Sequence, residues 1–338
     1  MTPRFNTIVG TGGIGKGVVY RLAGSHDLGR DESRAGHLLD LRDFCKLHII
    51  FHYISVFLRD SRSGVRVLPV GAVGCDEPGR ELLGLMQQAG MDMRFVRALK
   101  NAPTLYSICF QYPDGAGGNI TENQSASARV STAMLAPVAP VLRKAGARGL
   151  VLAAPEVPLA SRLQLLEMGR RAGAFAAASF NSEEIRTTAV QKALKKVDLL
   201  AINRDEARAL AGAPAKADAH AVVRACARKA MSLNPDMRLV ITAGGSGLFG
   251  CHAGACEHES VLKVPVVNTA GAGDATLAGL VCGLAIGLPF MGSGPRTAIK
   301  LGHLFAAMSV TSADTIHFGF SLKALNKFAR KNRQPFWL

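Results

Sequence analysis

One stretch of this chain sets an acid at the end of a run of small residues: Asn268-Thr269-Ala270-Gly271-Ala272-Gly273-Asp274. A strand signal, Val264-Pro265-Val266-Val267, precedes it, and a helical pattern rich in small residues runs from Ala275 to about Gly287. Small residues at a helix N-terminus aim unpaired backbone N–H groups at one point, and the helix dipole adds positive potential there. Gly271 and Gly273 let a phosphate approach the backbone closely. A carboxylate beside such an anion hole repels a resting anion. Asp274 makes sense there as a general base that takes a proton from an attacking hydroxyl. The amides of Gly271, Ala272 and Gly273 would then stabilise the transferred phosphoryl group. The competing reading makes Asp274 a plain helix cap.

A second glycine cluster, Gly10-Thr11-Gly12-Gly13-Ile14-Gly15-Lys16-Gly17, follows the first strand. As G-x-G-x-x-G it matches a dinucleotide fingerprint, the signature of a nicotinamide-dependent oxidoreductase. As a P-loop it fails, because Gly17 has no hydroxyl for Mg²⁺. The dinucleotide reading also lacks its helix: Val18–Leu22 offers five or six helical positions before Gly24-Ser25-His26-Asp27. A glycine-rich bend near a ligand is the reading retained. Cys251, His252, Cys256 and His258 are four potential metal ligands, but their spacing departs from structural zinc pairs. Gly250, Gly254 and Glu257 around them suggest a solvent-facing hairpin turn.

These residues need a scaffold. Short β-branched runs (TIVG, VRVLPVGAVG, LYSICFQY, GLVLAA, FAAASF, DLLAIN, RLVITAGG and VPVVN) alternate with amphipathic segments at 78–89, 161–172 and 217–232. That alternation points to βαβ units and a largely parallel sheet with helices on both faces. The chain has 338 residues, 48% apolar and 19% charged, with 36 glycines, which excludes a disordered chain. No linker divides it, so one domain spanning 1–338 is expected. A polar, aperiodic segment near 21–42, together with the later segment 105–120, is a candidate for a peripheral flap. Seven cysteines, an odd number widely spread, suit reduced thiols and a cytoplasmic setting. The N-terminus has no secretory signal pattern, and the longest apolar stretch, 275–290, is shorter than the ~20 residues of a spanning helix.

Forty Lys+Arg against 25 Asp+Glu give a net charge of +15, which raises nucleic acid as a partner. Aromatics at 6% are a thin supply for base stacking, so that partner is not expected. Lys323, Lys327, Arg330 and Lys331 recur at helical spacing near the C-terminus and read as a solvated helix face.

The segment 268–274 resembles the D-T-x-G-A-G-D signature of the ribokinase-like (PfkB) carbohydrate kinases. Further matches follow the family's order: Asn203-Arg204-Asp205-Glu206 resembles N-x-x-E, Thr242–Gly247 resembles T-x-G-x-x-G, and Val73–Gly79 with Leu85–Asp92 resembles V-G-x-D-x-x-G and its helix. The resemblance spans roughly residues 65–312. It implies a three-layer α/β/α sandwich with a mostly parallel sheet and a small β lid, from segments near 18–45 and 103–122. It implies an ATP- and Mg²⁺-dependent kinase acting on an alcohol. Asp274 would be the base, with Gly271, Ala272 and Gly273 as the anion hole. Asn203 and Glu206 would position metal and phosphates, and Thr242, Gly244, Gly247 and His303 would line the nucleotide. For Asn203 and Glu206 taken alone, the plainer reading is a helix cap and a solvated first-turn acid.

The acceptor side departs from the family. The first-strand Asp that binds acceptor hydroxyls is replaced by Gly15 or Lys16, and the glycine-rich helix start near residue 45 is absent. The expected acceptor residues are Gly13, Gly15, Lys16, Lys46, His48 and Asn123, with His52 beside them, and the cations favour an acidic acceptor. Asn268 replaces the first Asp of the signature, a poorer ligand for a monovalent cation. A nucleoside acceptor and a non-catalytic binder of the same fold are alternatives. Relatives often dimerise through a small β lid, which makes a homodimer one candidate assembly that the sequence pattern does not establish.

Overall fold

The computed structural model describes residues 3–114 and 117–334. The chain opens with β1 (Thr7–Thr11), passes through Gly12–Ile14 into β2 (Gly15–Leu22), and continues with β3 (Gly36–Leu38), β4 (Asp43–Phe44) and α1 (Lys46–Asp60). Next come β5 (Arg66–Gly74), α2 (Glu77–Gln88), β6 (Phe95–Leu99), β7 (Leu105–Gln111) and β8 (Gly117–Thr121). Two short helices, α3 (Thr132–Leu135) and α4 (Ala139–Ala145), lead to β9 (Gly149–Ala153), α5 (Leu159–Arg171), β10 (Phe175–Ala178) and α6 (Thr188–Leu194). Then follow β11 (Leu199–Asn203), α7 (Arg204–Ala211), α8 (Ala219–Leu233), β12 (Arg238–Thr242), β13 (Leu248–His252) and β14 (Ala255–Glu259). Three helices close the chain: α9 (Ala272–Ala285), α10 (Ala298–Ser309) and α11 (Leu322–Lys331).

Nine strands form the main sheet in the order β14-β13-β12-β11-β10-β9-β1-β5-β6. Pairing is parallel from β6 to β12, and β13 and β14 add an antiparallel hairpin at the edge. Both faces are covered, so central strands are buried throughout: all five residues of β1 and of β9 are buried. Alternate side chains feed two cores. Ile8, Leu150 and Val240 join α1, α9 and α10 on one face, while Val9, Val151 and Leu239 join α5 and α8 on the other. This is the layered architecture that the alternating pattern predicts.

A smaller sheet, β3-β2-β7-β8 with β4 on β2, is built from the segments expected as a flap. Register puts Tyr20, Leu38, Ile108 and Ile120 on one exposed face, while Val19 and Ser107 face inward and are buried.

Several local expectations are corrected. Residues 18–22 are strand, not helix, so the dinucleotide motif has no helix to hold a pyrophosphate. A Cβ on Gly10 would strike the Phe51 ring, and one on Gly13 would strike the Glu156 side chain. Those glycines admit neighbouring side chains. Val264–Val267 is not a strand: Val266 and Val267 are 63% and 57% exposed in a loop. Cys251 and Cys256, opposite each other in the β13–β14 hairpin, form a disulfide instead of free thiols. Cys45, Cys75, Cys109, Cys226 and Cys282 are free. His258 stacks on Phe249, and no group of three metal-ligating side chains occurs among the described residues. No helix among them is long and apolar enough to cross a membrane.

Candidate active site

The carboxyl ends of the parallel strands converge where open α/β sheets bind ligands. From β1 the chain delivers Gly13, from β9 Glu156, from β11 Asn203, and from β12 Thr242. The N-termini of α1 and α9 face each other across this end, bringing Lys46 and Asp274 together.

Gly271 caps α9 with φ +79, and a Cβ there would lie 2.6 Å from the Thr315 carbonyl oxygen. Glycine is required by both conformation and space. The first helical bond runs from Ala275 N–H to Gly271 O, 2.8 Å, so the amides of Gly273 and Asp274 have no backbone acceptor. The Ala272 amide differs from expectation: it turns to Thr269 O at 3.3 Å. The open donors at this helix start are therefore those of Gly273 and Asp274.

Asp274 is part-buried, with Lys46 Nζ 3.9 Å from its Oδ2. Burial raises its pKa, Lys46 pulls it back, and Asp43 pushes it further up. Lys46 in turn is held charged mainly by Asp274, against burial and with help from Glu156 and Glu206. A cavity of about 230 Å³ holds this pair with Asn203, Glu206, Thr242, Gly271 and Gly273.

Asn203 and Glu206 form a capping box on α7: Glu206 N–H donates to Asn203 Oδ1 at 2.9 Å, and Asn203 N–H donates to Glu206 Oε2 at 2.8 Å. The plainer capping role is thus real, and both residues nonetheless line the Asp274 cavity. Burial raises the Glu206 pKa. A carboxylate and an amide held this way, beside Asp274, are hard oxygen donors that suit Mg²⁺, which keeps waters and takes few protein ligands.

A second cavity, about 440 Å³, adjoins the first through Thr242, Gly273 and Thr276. Gly244, Gly247, Val264, Val266 and His303 line it, so the exposed valines of the 264–267 loop wall a pocket. Burial lowers the His303 pKa to about 4, leaving a neutral imidazole at the wall.

Of the expected acceptor residues, the structure sets Lys46 in the Asp274 cavity and Gly13 against Glu156, and leaves Gly15, Lys16, His48 and Asn123 outside that cavity. Lys16 pairs with Glu81 on α2, 2.7 Å away. His48 is 0% exposed among Phe44 and His52, and burial drops its pKa to about 3; His52 is likewise buried. Asn123 sits exposed after β8, outside the two cavities. Gly15 is packed under Leu105 and Cys45. In their place stands Glu156, which the motifs did not reveal. Its Oε2 accepts the Lys46 N–H at 2.9 Å, its backbone is left-handed (φ +75), and burial raises its pKa to about 7. The one sequence signal is its position, an acid three residues past the end of a buried parallel strand.

The family model of the pfkB family carbohydrate kinases matches residues 60–320. The chain belongs to that family. Solved pfkB-type folds lie close to this kinase in architecture. A ribokinase from Arabidopsis thaliana, complexed with ribose and ATP, aligns with TM-score 0.73 at 18% identity, covering 97% of this chain and 99% of its own. A ribokinase from Thermotoga maritima gives 0.71 at 18%, over 96% and 100%. A Burkholderia thailandensis nucleoside kinase in complex with inosine gives 0.73 at 16%, over 96% and 97%. No curated protein sequence matches the chain. The family match and the shared ribokinase-like fold agree with the resemblance carried by the 203–206, 242–247 and 268–274 motifs.

Proposed function

We propose that this pfkB kinase transfers the terminal phosphoryl group of ATP to a hydroxyl of a neutral, polyhydroxylated small molecule, with Asp274 as general base. The observation that carries the reading is the shared cavity of Asp274, Lys46 and the unbonded amides that open α9. An acid at an anion-binding helix start costs affinity for a resting phosphate, and proton abstraction accounts for its presence. Burial raises its pKa, which makes it a stronger base than an exposed carboxylate, while Lys46 favours the ionised form. The Gly273 and Asp274 amides are preorganised to stabilise charge on the transferred group. Mg²⁺, held near Asn203 and Glu206 through water, would neutralise phosphate charge when bound. The 440 Å³ cavity is the nucleotide site, with Val264, Val266 and neutral His303 against the base.

The acidic acceptor suggested by Lys16 and the histidines loses its basis, since those groups are paired or buried. Lys46 and Glu156 remain beside Asp274, and a carboxylate accepting hydroxyl protons suits a neutral polyol. The small sheet would act as the lid over this acceptor. A nucleoside acceptor stands as the second reading, because the inosine-bound neighbour matches as well as the ribose-bound one. The test is an ADP-release screen with Mg-ATP over sugars, sugar acids and nucleosides. Release with a neutral sugar or nucleoside is expected. ATP binding without release on any acceptor would make the protein a binder.

A further inference from the structure

We propose that a groove between the C-terminal end of α1 and the outer face of α11 binds a compact, multiply phosphorylated anion, at a site separate from the Asp274 cavity. The groove encloses about 800 Å³, within the range of small-molecule pockets. Arg59 and Arg62 reach it from the end of α1, and Lys323, Lys327 and Arg330 from α11. Lys323, Lys327 and Arg330 are exposed, as the solvated-face expectation has it, and border the same groove as Arg59 and Arg62.

Among the described residues one acid lines the groove, and it is engaged. Asp60 accepts Arg59 at 3.3 Å through Oδ1 and the Leu322 N–H at 3.0 Å through Oδ2, tying the two helices together. No acid pairs with Arg62, Lys323, Lys327 or Arg330 among the described residues. Lys323, Lys327 and Arg330 form one stripe on α11, opposite buried Leu325 and Ala329. Packing thus aims that stripe outward while Asp60 holds it against α1. Bringing like charges from two elements together is unfavourable unless an anion joins them. Arg62 adds a second sign: its backbone is left-handed, φ +52, where glycine is the default after a helix. A cation stands there at conformational cost.

Chemistry narrows the occupant. Among the described residues no aromatic side chain lines the groove, and its cations suit phosphate groups. The few residues that line it suit a small anion better than a duplex, which needs a far larger contact surface. The 15 residues of α1 put about 22 Å between the groove and Lys46.

Calorimetric titration with inorganic tripolyphosphate at low salt tests the proposal. Relative to wild type, K327E/R330E, two exposed positions, is expected to lose at least tenfold in affinity while still turning over ATP. R62G is expected to weaken binding and raise the melting temperature together, because glycine relieves the left-handed backbone; a loss of affinity from misfolding would lower both. Unchanged tripolyphosphate affinity in K327E/R330E overturns the proposal. So does a short DNA duplex that displaces tripolyphosphate and binds more tightly.

Discussion

Asp274 and Lys46 define each other's charge. Burial raises the Asp274 pKa and Lys46 lowers it, so activity that needs the ionised base falls away as pH drops through a value above the ordinary carboxylate range. Replacing Lys46 by Met removes the lowering influence. The acid limb of the kcat/KM profile is then expected to move to higher pH, and an unmoved limb would separate the two groups. Asp274 was legible in sequence because its motif has a physical logic of small residues followed by an acid. Glu156 was not, because the cause of its placement is long-range: Gly13 leaves room for its side chain and the first amide of α1 binds its carboxylate. Lys16 and His48 misled for the converse reason. A cation or imidazole in a sequence gives no sign of Glu81 on another helix, or of a core built by Phe44 and His52.

At the scale of elements, α9 is the part on which the site depends. Eleven consecutive residues from Ala275 to Ala285 are buried, and its glycines meet α10: a Cβ on Gly279 would lie 2.7 Å from the Gly302 Cα. Such close packing fixes the helix start that presents Gly273 and Asp274. Gly271→Ala forces a side chain into a left-handed position against Thr315. A loss of about 1–3 kcal/mol in stability is expected, read by denaturant unfolding, together with lost turnover. Stability equal to wild type would show that the helix start tolerates rearrangement. Strands of the main sheet were readable from continuous apolar runs, since both faces are covered. The same reasoning failed at Val264–Val267, where an apolar run lines a cavity instead of pairing. It also missed β2, whose glycines looked like a loop until β7 and β4 provided partners.

For the whole molecule, the +15 charge divides by location. Lys46 lies in the Asp274 cavity, Lys16 is paired, and Lys323, Lys327 and Arg330 share a groove with Arg59 and Arg62. The outer face of the small sheet exposes Tyr20, Leu38, Tyr106, Ile108 and Ile120, with Ile120 63% exposed. An apolar face of that extent favours burial against a second copy. Sedimentation of the wild type is expected to give a dimer and I108K/I120K a monomer; identical values for the two would remove this face from the assembly. Fold, cavity and base meet in one proposed reaction, and its most direct measurement is ADP release by Asp274→Asn on the acceptor that wild type uses best. A fall in kcat of roughly 10²–10⁴ with ATP affinity retained is the predicted result. Turnover near that of wild type would contradict it.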